Sequence, residues 1–180
     1  PLLLLLLAAA VVVSVSSAAD AKSAPAPAPA TVDIIGILHK AGQYAFFIRL
    51  LNQTQIANQI DNQAETSADG MTVFAATDDA FRNLPAGTLN NLSFQRQIQL
   101  LQYHICPKFY TLDELQTVSN PVRTEASGQD GQVFGLNFSA DANQVNLSTG
   151  VVQVSINNAV EDNFPLAVFE VDKVLLPLEF

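Results

Sequence analysis

The sequence predicts a single α+β domain, and three features carry that prediction. Apolar residues recur at helical spacing through the first half of the folded part. From Val133 onward they alternate at a spacing of two. Pro107 stands between the two regimes. Helices first and a meander of strands after is the order of an α+β chain, not of a parallel α/β sheet.

The elements follow in order. Asp33 is placed to cap a helix carrying Ile34, Ile35 and Leu38, and Gly42 is expected to break it. A second helix puts Phe46, Phe47, Leu50 and Leu51 on one face. Asn62 to Gly70 is polar and reads as a loop. Met71 to Ala76 is a short β-run, after which Thr77 or Asp78 starts a helical turn through Phe81. Phe94, Ile98, Leu101 and Ile105 mark one face of a further helix, and Pro107 stops it.

Beyond Pro107 the period changes. Phe134, Leu136 and Phe138 form one apolar phase, Val145 and Leu147 the next, then Val152, Val154 and Ile156, then Ala167, Phe169 and Val171. Such strands bury one face and expose the other. Thr149-Gly150 supplies a hairpin turn. Phe46, Phe47, Phe74 and Phe81 are expected in the core.

The chain has 180 residues and a formal net charge of -9. The first thirty residues hold only Asp20 and Lys22 among charged groups, so the folded part keeps the whole imbalance. A surface this acidic repels phosphate backbones and anionic lipid, which argues against nucleic-acid binding. A domain of roughly 150 residues buries about 68–70% of its unfolded surface, so it needs no metal or disulfide to be stable. Cys106 has no second cysteine to pair with inside the chain and is expected as a buried apolar residue.

Leu2 to Val13 is an unbroken run of Leu, Ala and Val. It is too short for a bilayer span, which needs about 20 residues, and fits the core of a secretory signal peptide. Small residues from Ser14 to Ala19 provide the cleavage region, so residues 1–19 are expected to be a signal peptide truncated at its start. Residues 20–30 hold a strict Ala-Pro alternation, which forbids helix and favours an extended polyproline spacer. Four Asn-x-Ser/Thr acceptors begin at Asn52, Asn91, Asn137 and Asn146. Asn137 and Asn146 fall on the polar phase of their strands and should face solvent.

Three blocks stand in order along residues 31–178. They are Thr72-Val73-Phe74-Ala75-Ala76-Thr77-Asp78-Asp79-Ala80-Phe81, then Leu101-Gln102-Tyr103-His104 with Pro107, then Ala167-Val168-Phe169-Glu170-Val171-Asp172-Lys173-Val174-Leu175-Leu176-Pro177. In order and spacing they resemble a fasciclin-type domain. With the Ala-Pro run, the chain resembles the fasciclin-like arabinogalactan proteins of plant secondary walls. The resemblance implies a β-wedge or sandwich with helices packed around it. It also implies secretion to the cell wall or the outer face of the plasma membrane, and hydroxyproline-linked glycan on Pro25, Pro27 and Pro29. Function would be adhesion and wall organisation through wall polysaccharides, wall glycoproteins or weak self-association, without catalysis or cofactor. Many plant members carry a glycolipid anchor, whose signal would lie beyond Phe180.

Departures from the family pattern limit the transfer. Ala76 stands where a proline is usual, and Cys106 where a plain aliphatic is usual. Glu161-Asp162-Asn163-Phe164-Pro165 does not match the integrin-engaging motif of animal members, so integrin binding is not carried over.

Thr77, Asp78, Tyr103 and His104 are the most chemically suggestive residues. They read as a structural joint, with His104 hydrogen-bonded inside the core and tying its helix to the Thr77-Asp78 turn. Asp78 and Asp79 read as helix-start carboxylates favoured by the helix dipole, not as an acid-base pair. His39, His104 and Cys106 lack the close spacing of a zinc set. No Gly-x-Ser-x-Gly elbow or Gly-rich phosphate loop occurs. Two other functions stay open. A secreted wall-glycan hydrolase would need two carboxylates about 5–10 Å apart. An apolar-ligand carrier would need a pocket between helices and wedge.

Overall fold

A computed structural model describes residues 31–127, 131–156, 158–178 and 180. The expected leader and the stalk with Pro25, Pro27 and Pro29 lie outside the described residues. α1 (Ile34–Ala41) starts where its cap predicts: the Asp33 carboxylate accepts the Gly36 N–H at 2.9 Å. Gly42 ends it with φ of 81°, donating its N–H to the Leu38 carbonyl. α2 (Ala45–Thr54) and α3 (Ile56–Thr66) follow almost without a break, hinged at Gln55 with φ of 59°.

α3 corrects the loop expected from Asn62. Ile56, Ile60 and Ala64 recur every four residues and are all buried, while the polar residues between them face out. α3 also holds α1 in place. Asp61 accepts the Ile34 N–H at 2.9 Å and Glu65 the Val32 N–H at 2.8 Å, satisfying donors that no helix turn can reach.

β1 (Met71–Ala76), α4 (Asp78–Arg82), α5 (Phe94–Tyr103), β2 (Ile105–Cys106) and α6 (Leu112–Thr117) make up the middle of the domain. The helix expected to reach Ile105 stops at Tyr103. Ile105 is buried as a strand residue paired with Val73, not as the last step of a helix face. α6 was not expected. Its start is a capping box, in which the Thr111 hydroxyl accepts the Glu114 N–H and the Glu114 carboxylate accepts the Thr111 N–H.

β3 (Val122–Ser127), β4 (Val133–Asp141), β5 (Gln144–Ser148) and β6 (Gln153–Ile156) form an antiparallel sheet in chain order. Thr149 closes the β5–β6 hairpin, and Gly150 takes φ of 90°. β7 (Ala159–Asn163) and β8 (Leu166–Val171) complete the other sheet, ordered β2-β1-β8-β7.

β1 and β8 run parallel in an otherwise antiparallel sheet, pairing Met71 with Leu166 through Ala76 with Val171. The expected meander holds for the β3–β6 sheet and not for this one. β8 was expected to expose Val168 with the polar phase, yet Val168 is buried. A central strand is covered on both sides. Phe74 and Phe169 stack at 6.0 Å, Phe74 meets Phe138 of the second sheet at 5.6 Å, and α3 packs on β1. Phe46 is the one expected core aromatic that stays 40% exposed; it leans on Phe81, with ring centroids 5.9 Å apart.

Candidate functional site

The residues singled out in the three sequence blocks make two separate ties, one around Tyr103 and His104 and one around Thr77 and Asp78. α5 delivers Tyr103 and His104 to the first. His104 is 1% exposed and both ring nitrogens are engaged. Nδ1 lies 2.7 Å from the Leu100 carbonyl, which can only accept, so Nδ1 carries the proton. Nε2 is then free to accept the Leu175 N–H at 3.0 Å. The His104 carbonyl accepts the Phe74 N–H at 2.8 Å, and Phe47 packs against the ring at 5.8 Å. One residue therefore fastens α5, β1, α2 and the segment after β8.

This refines the expectation for His104. The imidazole ties its helix to Leu175 of the third block, not to the Thr77-Asp78 turn. Burial lowers its pKa from 6.5 to about 4, against the opposing pull of the Leu100 bond, so the ring is neutral at neutral pH. Tyr103 is also buried and donates its hydroxyl to the Gly135 carbonyl at 3.1 Å. Burial, with a smaller contribution from Cys106, pushes its pKa up to about 12, so the phenol is a weaker acid than usual.

Thr77 is the cap of α4, accepting the Ala80 N–H at 3.2 Å, and its own N–H donates to the Val171 carbonyl. Asp78 caps a different helix. Tyr44, at the N-cap of α2, offers no side-chain acceptor, and the Asp78 carboxylate takes the Phe46 N–H at 2.9 Å instead. The Asp78 N–H donates to the Gln43 carbonyl, so two chain segments clasp each other. Asp79 pairs with Arg82 at 2.6 Å on the surface.

A second tie went unread in the sequence. The buried Tyr44 hydroxyl donates to Glu170 of β8 at 2.8 Å, across 126 residues. Burial, then the Glu170 bond and charge, hold the Tyr44 phenol far above its ordinary range. No short-range pattern marks such a pair; only the β1–β8 pairing brings it together.

These groups have little chemistry to offer. The imidazole has no free nitrogen and no path to solvent. The Thr77 and Tyr103 hydroxyls are each bonded to backbone groups. Cys106 is fully buried, and burial followed by the charge of Glu125 raises its thiol far above the range of a reactive thiolate. Among the described residues no group of three His, Cys, Asp or Glu side chains is placed to hold a metal ion.

The acceptor asparagines sit apart from the joint. Asn52, Asn91 and Asn137 are exposed. Asn146 is half-buried, its side-chain oxygen accepting the Ser155 hydroxyl at 2.7 Å. No helix among the described residues is long and apolar enough to cross a membrane.

Two four-stranded sheets with flanking helices, and a Tyr103-His104 pair bonded into the core, define an α+β domain of the fasciclin class. The chain belongs to the fasciclin-domain family, whose pattern matches residues 42–177. It is 56% identical over 149 residues to fasciclin-like arabinogalactan protein 13 of Arabidopsis thaliana, covering 82% of this chain and 60% of that protein. It is 55% identical over 150 residues to fasciclin-like arabinogalactan protein 6 of the same plant, covering 82% and 61%. The chain thus spans about three-fifths of the length of these curated relatives. In fold it resembles the FAS1 domain pair of the insect cell adhesion molecule Fasciclin I, with a TM-score of 0.55 and 17% identity over 76% of this chain and 46% of that one.

Proposed function

We propose that this protein is a secreted, non-catalytic adhesion and matrix glycoprotein of the plant cell wall. The observation that carries the proposal is the closed Tyr103-His104 joint within a fasciclin domain: the residues that look most reactive are bonded to the backbone and cannot reach a ligand. The similarity to fasciclin-like arabinogalactan proteins supports a wall location and an Ala-Pro stalk bearing glycan on Pro25, Pro27 and Pro29. N-glycans on exposed Asn52, Asn91 and Asn137 add hydrated bulk around the domain; Asn146 is the least accessible of the four. Residues 1–19 serve as the signal peptide and a glycolipid anchor holds the full-length protein at the outer face of the plasma membrane.

Individual contacts of such a domain to wall polysaccharide, to other wall glycoproteins or to itself are weak, and many copies on one surface add up through multivalency. In this way the protein contributes to the organisation and mechanics of secondary walls. The test uses natively glycosylated protein on arrays of wall polysaccharides, together with analytical ultracentrifugation. Saturable binding or reversible self-association is expected. Absence of both at high protein concentration removes direct adhesion.

A further inference from the structure

A cleft of about 670 Å³ opens beside Thr77. It lies where the first and third sequence blocks meet, bounded by the start of α4, the loop after it, and the chain leaving β8. Its lining mixes polar Asn83, Glu170, Asp172 and Lys173 with apolar Leu84, Val152 and Leu176. The volume falls within the range of small-ligand pockets, about 300–1,000 Å³.

The walls are held in place before any ligand arrives. The Thr77 hydroxyl fixes the start of α4, and the Thr77 N–H is bonded to Val171. Glu170 is oriented by the Tyr44 hydroxyl at 2.8 Å. The Lys173 ammonium donates to the Gln153 carbonyl at 3.2 Å, which pins the end of β8 to β6.

We infer that this cleft binds a short stretch of neutral polysaccharide, and the inference rests on the adhesion reading above. The lining chemistry makes the choice. Carboxylates only accept, and adjacent sugar hydroxyls are a dense source of donors, giving charge-assisted bonds. Leu84, Val152 and Leu176 offer an apolar surface to the C–H face of a sugar ring. A fatty ligand would leave the polar lining groups unpaired. A uronic-acid polymer would meet the carboxylates of Glu170, Asp172 and the adjoining Asp79, on a protein of net charge -9. A polyamine would meet the Lys173 ammonium, a like charge, in the same lining.

The probes are xylotetraose and cellotetraose, with tetragalacturonate and spermidine as comparators, titrated into the full glycosylated chain by calorimetry and by NMR. The neutral tetrasaccharides are expected to bind with Kd on the order of a millimolar. Tetragalacturonate should bind at least about tenfold more weakly. Asp172→Asn removes a charged acceptor at an exposed position and should weaken binding about fivefold, with the melting temperature unchanged. Asn83→Ala should weaken it as well.

Neutral sugars that bind with full affinity to both variants overturn the cleft and leave the adhesion reading standing. Preference for tetragalacturonate or spermidine overturns the assignment of ligand class. No binding of any oligosaccharide overturns the cleft, and the adhesion reading falls with it only if polysaccharide arrays and self-association are also negative.

Discussion

Replacing His104 with alanine should unfold the domain more readily without a specific loss of binding by the molecules that remain folded. The Leu175 N–H would lose its acceptor inside the core. A buried donor left unpaired costs about 1–3 kcal/mol. Removing the imidazole empties roughly 60 Å³, worth about 1.5 kcal/mol at about 24 cal/mol per Å³. The packing on Phe47 and the bond to Leu100 go as well. A total near 3–4 kcal/mol corresponds to a fall of about 10 °C in melting temperature for a domain of this size. Thermal denaturation followed by circular dichroism measures it. His104→Gln can still place an oxygen near the Nε2 position and should recover part of the loss. If His104→Ala melts with the wild type and yet loses a binding activity that the wild type shows, the imidazole is a recognition residue and not a structural one.

Further outcomes follow from the same contacts. The buried His104 should make stability depend on pH: the unfolded chain takes up its proton near pH 6.5 and the folded one only near 4. The stability from a neutral ring is therefore whole above about 6.5 and is lost as pH falls toward about 4, by about 3 kcal/mol; His104→Gln should flatten that part of the denaturation profile. Asp78→Ala should cost about 1 kcal/mol, as for other lost helix caps, visible as a drop of about 2–4 °C in melting temperature. Gly70→Ala and Gly42→Ala should differ sharply although both glycines have positive φ. A Cβ at Gly70 would stand 2.7 Å from the Pro165 carbonyl oxygen and 2.8 Å from Phe109, whereas one at Gly42 meets nothing within 4 Å. Gly42→Ala should cost about 1–2 kcal/mol from its left-handed backbone alone, and Gly70→Ala clearly more by chemical denaturation. Cys106 in the native protein should resist thiol reagents and react only on unfolding; rapid stoichiometric labelling of folded protein would show that the thiol is reachable.

The sequence was most legible where the signal is local. Asp33, Thr77 and the apolar faces of α1, α2 and α5 announced their helices, and the alternation from Val133 to Ile156 announced β4, β5 and β6. Two missed elements carried readable signals. Ile56, Ile60 and Ala64 keep helical spacing through a stretch that looks polar because only one narrow face is buried. Thr111 and Glu114 spell a capping box. β3 alternates too, burying Val122, Thr124 and Ala126.

Other features could not be read locally. The parallel pairing of β1 with β8 joins residues about a hundred positions apart and makes β8 a central strand, in which Val168 is buried. The same pairing delivers Glu170 to Tyr44 and Leu175 to His104. The sequence marked Thr77, Asp78, Tyr103 and His104 but not their partners. Residue type announces a donor or an acceptor; only the topology decides what stands opposite. Asp78 illustrates this, since its place beside Thr77 suggested a cap for α4 and its carboxylate instead caps α2.

The proposed role is adhesion by the surface around a closed joint, without catalysis. Its most direct test incubates natively glycosylated wild-type protein with immobilised neutral wall polysaccharide, and follows both retention and the appearance of new reducing ends. Retention that is lost on unfolding, with the polysaccharide left intact, is the expected result. Release of new reducing ends in proportion to protein, or no retention together with no self-association, would contradict it.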